Sequence, residues 1–154
     1  MSTHTGIDTD RVIAALNRIL EFELAGVVRY THYALMVFGY NRIPIVSWLQ
    51  AQADEGLVHA REAGELITSL GGHPSLGIGP LLETEKHDIG DILRESLEHE
   101  RETLAAYADL LSLVKDKHVR LEEYATRLIA QEMAHQDAVD KMLRTPGQVG
   151  VYSG

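Results

Sequence analysis

The stretch LIAQEMAHQDAV at residues 128–139 combines the apolar spacing of an amphipathic helix with an acid and an imidazole on the same face. Spacings of three and four residues place Glu132 and His135 in one stripe with Leu128 and Val139. A carboxylate buried without a partner is costly, so this stripe requires a cation beside it. Two interpretations are open: a metal ion, or a buried Arg or Lys next to Glu132 with His135 as a hydrogen-bonded core histidine.

The composition restricts the kinds of site that the chain can build. Its 154 residues suit a single domain, and the absence of cysteine excludes disulfides, thiolate metal ligands and cysteine nucleophiles. A formal net charge of -9 argues against a nucleic-acid-binding surface. The sequence shows neither a signal peptide nor an apolar run long enough to span a membrane, so we expect no membrane association and a cytoplasmic location.

Apolar residues recur at helical spacing along four long segments, which is typical of a helix bundle. The predicted helices span about 9–38, 44–70, 88–114 and 117–144, the crossover 71–87 and the tail 145–154. The first and third connections are short, whereas the second is rich in Gly and Pro and long enough to recross the bundle. The predicted fold is an all-α four-helix bundle in a single domain, with one long crossover between helices two and three.

The first and second halves of the chain repeat the same acidic pattern. Glu23 ends the sequence LEFE on the first helix, and Glu100 ends LEHE on the third. Each of these glutamates is followed two helical turns later by a tyrosine, at Tyr30 and Tyr107. Glu55 follows Glu23 by the same number of residues as Glu132 follows Glu100. Two helix pairs related by a pseudo-twofold axis would bring these carboxylates towards one central point.

The buried stripes of all four helices therefore contribute acids or imidazoles to mid-bundle. The predicted set consists of four carboxylates and two histidines: Glu23, Glu55, His59, Glu100, Glu132 and His135. Two divalent cations would neutralise these carboxylates, and the neutral imidazoles would complete the coordination. Oxygen and nitrogen ligands favour iron or manganese, with zinc also possible, and open positions could bind dioxygen or peroxide.

Four segments of the sequence resemble the helices of bacterioferritin and cover most of the chain. They are LNRILEFELAGVVRYTHYALMVFG at 16–39, HAREAGELITSLGGHPSL at 59–76, ILRESLEHE at 92–100 and QEMAHQD at 131–137. The resemblance implies a ferritin-like fold with two iron ions per subunit. It also implies that Fe(II) is oxidised by oxygen or hydrogen peroxide and that ferric mineral is kept inside a hollow homo-oligomer.

The resemblance also implies roles for individual residues. Glu23 and Glu100 would be terminal or bridging carboxylates, and Tyr30 would be the tyrosine beside the site, which we assign as the catalytic residue. His59, Glu132 and His135 would be further metal ligands. The second helix departs from the family pattern, since Gly56 stands three residues before His59, where the family has a glutamate. A π-bulge near Gly56 would let Glu55 serve as the sixth ligand.

Two further departures affect the cofactor and the assembly. The haem methionine of the family falls at Leu57, which cannot ligate iron, so we expect no haem. The tail TPGQVGVYSG is too short and too rich in Gly and Pro for the family's fifth helix. This leaves a 24-subunit shell, a 12-subunit shell and a dimer open. The apolar surface of the first helix predicts a subunit interface, so we expect a homo-oligomer with a dimer as its building block.

The function predicted from these features is iron oxidation with iron storage or detoxification. A dimetal oxidase or peroxidase that stores no iron is the alternative enzyme. A protein of another class, either a DNA-protecting mini-ferritin or a structural shell with a weak site, is also open, although the acidic charge disfavours DNA binding.

Overall fold

Four long α-helices make up most of residues 6–153, the part of the chain that the computed structural model describes. They are α1 (Thr9–Met36), α2 (Arg42–Ser69), α3 (Ile89–Val114) and α4 (Val119–Leu143), and these residues form no strand. Helix α1 packs against α2 and α3, and α3 packs against α4. The predicted all-α bundle is confirmed. No helix among the described residues is long and apolar enough to cross a membrane.

Side chains at the helix ends account for the small differences from the predicted bounds. The Arg42 guanidinium donates hydrogen bonds to the carbonyls of Val37, at 2.5 Å, and Ala34, at 3.2 Å. It thereby satisfies free carbonyls where α1 ends, and α2 starts two residues before Pro44. The His118 side chain accepts from the backbone N–H of Leu121, so α4 begins only after this cap.

The connection between α2 and α3 runs along α1 and returns the chain to the opposite end of the bundle. Near its start the backbone N–H of Ser75 donates to Asn17 Oδ1 at 2.7 Å. At mid-length the N–H of Gly79 donates to the carbonyl of Glu21 at 2.9 Å. Helix α3 therefore starts beside the C-terminal end of α1, which is the predicted one-crossover topology.

The core consists of apolar layers with a polar layer between them. A large cluster includes buried residues between positions 12 and 22 of α1 and between 121 and 128 of α4. A second cluster includes Tyr30, Tyr33 and Ala34 of α1 and Val37 directly after it. Between them lie charged side chains that are at most 5% exposed: Glu23, His59, Glu100 and Glu132. Burying this many ionisable groups in one layer is costly unless they bind one another or a cation.

Gly56 and Gly79 mark two close approaches of the backbone to α1. A Cβ atom at Gly56 would lie 3.3 Å from Val27 Cγ2 and 3.4 Å from the carbonyl oxygen of Glu23. The glycine therefore permits tight packing of α2 on α1. No π-bulge accommodates it, because α2 is continuous α-helix from Arg42 to Ser69. The expected widened turn at Gly56 was wrong, since glycine here removes a side chain from a helix contact and leaves the helix regular.

Replacing Gly79 by alanine should destabilise the protein by about 1–3 kcal/mol, because the new Cβ would lie 2.9 Å from the backbone oxygen of Glu21. Neither backbone can yield without lengthening the hydrogen bond between Gly79 and Glu21. Gly64→Ala is the control: apart from the adjacent backbone of α2, no atom lies within 4 Å of its Cβ position, and alanine favours the helix. Thermal unfolding should show Gly79→Ala melting lower and Gly64→Ala unchanged or higher. A melting temperature of Gly79→Ala equal to that of wild type would contradict the close contact between Gly79 and Glu21.

Candidate metal centre

Five of the six predicted ligands form two groups of three in the polar layer, and the two groups share Glu132. One group consists of Glu23, His59 and Glu132, and the other of Glu100, Glu132 and His135. Within each group, one ligand atom from each residue lies within 4.8 Å of the others. Since all four helices contribute, the arrangement can form only when the whole bundle is assembled.

Glu55 joins the cluster without any irregularity in α2. One of its carboxylate oxygens lies 3.0 Å from His135 Nε2, and the other lies 3.7 Å from His59 Nε2. Its side chain is 37% exposed, so it sits at the edge of the polar layer. Residues 55 and 59 are four apart and share a helix face, and this spacing is sufficient to bring both side chains to the centre.

Two tyrosines hold the glutamates of the opposite helix pair. Tyr30 on α1 donates to Glu100 Oε1 on α3 at 2.5 Å, and Tyr107 on α3 donates to Glu23 Oε2 on α1 at 2.6 Å. Burial raises the pKa of both phenols well above its usual value, and the nearby carboxylates raise it further. Both tyrosines are therefore donors at neutral pH.

The contact of Tyr107 was absent from the predicted site, although the sequence repeat contained its signal. Gln131 was also missed: its Oε1 lies 3.0 Å from His59 Nε2. The other nitrogen of His59 lies 3.0 Å from Glu23 Oε2, so the imidazole is held on both sides. Because Gln131 precedes Glu132 on α4, this contact also links α2 to the helix that supplies the shared carboxylate.

Two buried polar atoms of the cluster have no hydrogen-bond partner. They are Glu132 Oε2 and His135 Nδ1. No Arg or Lys in the described part of the chain forms an ion pair with Glu132, which leaves the interpretation of a buried Glu–Arg or Glu–Lys pair without support. Buried polar atoms are nearly always satisfied, so these two require an explanation. A cation between the carboxylates would supply one.

The electrostatics of the cluster follow from the crowding of its acids. Burial raises the pKa of Glu132, and the adjacent Glu100 raises it further through a hydrogen bond and charge repulsion. Burial also opposes ionisation of Glu100, but the neighbouring Glu132, His135 and Tyr30 outweigh it and lower the pKa of Glu100 to about 2. Burial lowers the pKa of His59 and His135, yet neighbouring carboxylates outweigh it and the net shift is upward. The lowered pKa of Glu100 favours its ionised form, and the raised pKa values of His59 and His135 favour their protonated forms, so the carboxylates of the cluster attract positive charge.

The chain is similar to ferritin-like proteins. The model of the ferritin-like domain family matches residues 13–147. Ferritin-like, diiron-carboxylate proteins from Bacillus anthracis str. Ames have a solved structure that is 25% identical, with a TM-score of 0.84, covering 94% of this chain and 100% of that chain. No curated protein sequence matches.

Two further solved structures share the fold. One is a dodecameric thioferritin, the bacterioferritin-related protein from Bacteroides fragilis, with a TM-score of 0.81, 22% identity and coverage of 90% of this chain and 87% of that one. The other is bacterioferritin from Rhodobacter capsulatus, with a TM-score of 0.78, 22% identity and coverage of 87% and 84%. The range matched by the family model contains the positions of the six clustered residues and both tyrosines. The chain belongs to the ferritin-like domain family.

Proposed function

We propose that the protein is a ferroxidase that oxidises Fe(II) at a dinuclear centre within each subunit and stores or detoxifies the iron in a homo-oligomer. The two unpartnered buried atoms, Glu132 Oε2 and His135 Nδ1, carry this proposal, because they lie within the shared cluster of acids and imidazoles. The proposed ligands are Glu23, Glu55, His59, Glu100, Glu132 and His135.

The chemistry of the donor set fits iron. Carboxylate oxygens and imidazole nitrogens suit Fe(II), Mn(II) and Zn(II), whereas a cluster without thiolates does not favour soft ions. Two divalent ions per subunit would balance four carboxylates and supply partners for the unsatisfied atoms of Glu132 and His135. Among these three metals, iron and manganese change oxidation state, and zinc does not. Iron is therefore the proposed substrate, and manganese and zinc are competitors.

The proposed reaction removes one electron from each of two Fe(II) ions. Dioxygen accepts both electrons together with two protons and becomes hydrogen peroxide; when hydrogen peroxide is the oxidant, it accepts two electrons and two protons and yields two waters. Glu132, shared by both groups of ligands, would hold the two ions near each other. Tyr30 and Tyr107 would fix the positions of Glu100 and Glu23 through their hydroxyl groups. Tyr30 remains the proposed catalytic tyrosine.

The C-terminal residues bear on the proposed assembly. After α4 ends at Leu143, the backbone N–H of Tyr152 donates to Asp140 Oδ2 at 3.0 Å, and Arg144 Nη1 donates to the carbonyl of Val149 at 2.8 Å. The segment 144–153 therefore folds back on α4 and contains no helix. The B. fragilis protein is described as dodecameric, which supports a 12-subunit shell as the proposed assembly, with the 24-subunit shell and the dimer as its alternatives.

Storage and simple oxidation predict different products. If the protein forms a closed shell, many equivalents of Fe(II) added in air should remain soluble and elute with protein. Twelve chains of 17.1 kDa give a particle of about 200 kDa. Size-exclusion chromatography with iron analysis of each fraction measures this directly. A dimer that oxidises iron but leaves a precipitate would contradict storage and support the alternative oxidase or peroxidase.

Nucleic acid and haem are not part of the proposal. The net charge of -9 opposes binding to DNA phosphates, and Leu57 stands where a haem methionine would be required. The prediction of a haem-free protein is checked by an absorption spectrum of the protein reconstituted with haemin. A stable Soret band with one haem per dimer would contradict it.

A further inference from the structure

A second group of metal-binding residues lies on the other side of α1. His32 is nine residues after Glu23, which at 100° per residue places it on the opposite face of the helix. Glu83 and His87, on the crossover, come to it from the sequence that precedes α3. We name His32, Glu83 and His87 the crossover triad. It shares no residue with the buried cluster.

The ligand atoms of the crossover triad lie close enough together to surround one ion. His32 Nε2 lies 2.5 Å from Glu83 Oε2, and His87 Nε2 lies 3.3 Å from Glu83 Oε1. One ligand atom from each of the three residues lies within 4.8 Å of the others. Ligands bound at 2.0–2.1 Å around a tetrahedral zinc ion are about 3.3 Å apart, so small side-chain rotations would suffice.

The backbone around Glu83 supports this geometry. Glu85 has a φ of 58°, an uncommon value for a residue with a side chain, and strained conformations cluster at ligand-binding sites. The backbone N–H of Glu85 donates to Glu83 Oε1 at 2.5 Å and so restrains the carboxylate. The Nε2 atom of His87 is buried and has no hydrogen bond. Glu83 is thus oriented before any ion binds, and His87 Nε2 lies 3.3 Å from Glu83 Oε1 without forming a hydrogen bond to it.

We propose that the crossover triad binds one divalent transition-metal ion, and that zinc is the ion it suits best. Two imidazoles and one carboxylate form a typical three-ligand zinc site, with a fourth position left for water. Such an ion would join residues 83–87 to α1 and hold the crossover against the bundle. This inference does not depend on the proposed ferroxidase activity, because it uses none of the same side chains.

Zinc titration of the full-length metal-free protein tests the proposal. We expect His32→Ala/His87→Ala to bind about one Zn(II) per chain fewer than wild type, as counted by equilibrium dialysis and isothermal titration calorimetry. The same variant should lose part of the zinc-dependent rise in melting temperature, because fewer ions bind the native state. Glu83→Gln should weaken the same site without removing bulk. His73→Ala, an exposed histidine of the same crossover, is the matched control and should bind as wild type does.

Two comparisons make the outcome decisive. Glu132→Ala/His135→Ala should lose zinc at the buried cluster but retain the crossover ion, so failure of one site is distinguishable from failure of the other. Equal zinc stoichiometry in wild type and His32→Ala/His87→Ala would overturn the proposal and leave the triad as a set of ion pairs. A loss of equal size in His73→Ala would also overturn it, because the binding would then be non-specific. Far-UV circular dichroism of each variant establishes that it is folded.

Discussion

Fe(II) uptake at the buried cluster should fall from about two ions per chain to none when Glu132 and His135 are both replaced by alanine. Glu132 belongs to both groups of ligands, so its removal takes a carboxylate from each proposed metal position. His135 supplies the only imidazole of the second group. The rise in melting temperature that Fe(II) produces in wild type should disappear with the binding. Anaerobic Fe(II) titration followed by iron analysis measures the stoichiometry.

The metal-free form of this variant should remain folded, because the substitutions remove a buried carboxyl and an imidazole that each have an unsatisfied atom. Met133→Ala/Asp137→Ala is a matched control on the same helix, since both side chains are exposed. It should bind iron as wild type does. Undiminished uptake in Glu132→Ala/His135→Ala would refute the proposed site.

Glu55→Ala should slow Fe(II) oxidation by at least about 100-fold, a loss similar to that in Glu132→Ala. Glu55 contacts both histidines of the cluster, at 3.0 Å and 3.7 Å, and is the carboxylate that α2 contributes. Without it, His59 and His135 lose a common anionic neighbour and one proposed metal position loses a ligand. Stopped-flow absorbance of ferric product under air, with two Fe(II) per chain, measures the rate.

The control for this experiment is Asp54→Ala, the adjacent carboxylate, which is exposed and should leave oxidation unchanged. A near-normal rate in Glu55→Ala would mean that the centre lacks one carboxylate on the α2 side. The two metal positions would then be unequal, and the ferroxidase proposal would be weakened.

The bundle and the central cluster could be predicted because both depend on helical periodicity. Glu132 and His135 lie in the apolar stripe of α4, and the same spacing puts Glu23 and Glu100 in the stripes of α1 and α3. Periodicity assigns each residue to one face of a long helix, and its position in the sequence gives its distance along the helix axis. Together these two determine approximately where a buried side chain lies in the bundle. The repeat between the chain halves then predicted which positions face each other.

Other features depend on three-dimensional contacts that periodicity does not describe. The sequence suggested that Gly56 loosens α2, whereas in the structure Gly56 allows α2 to pack closely against Val27 of α1. Likewise His87 had no assigned role in the sequence, because the irregular path of the crossover decides that it meets His32. Backbone strain at Glu85 and the close pass of Gly79 over Glu21 belong to that same path.

The exchanged tyrosine contacts have a consequence for how the protein originates and matures. Tyr30, in the α1–α2 hairpin, donates a hydrogen bond to Glu100 of the α3–α4 hairpin, and Tyr107 of the α3–α4 hairpin donates one to Glu23 of the α1–α2 hairpin. Each hairpin therefore supplies the tyrosine that holds a glutamate of the other hairpin. An ancestral single hairpin would gain both tyrosine–glutamate hydrogen bonds by pairing with an identical copy. Gene duplication and fusion would preserve that arrangement. A nascent chain whose α3–α4 hairpin is still on the ribosome lacks Tyr107, the hydrogen-bond partner of Glu23, and also lacks the shared carboxylate of Glu132. If the proposed site binds iron, a chain can therefore capture iron only after its synthesis is complete.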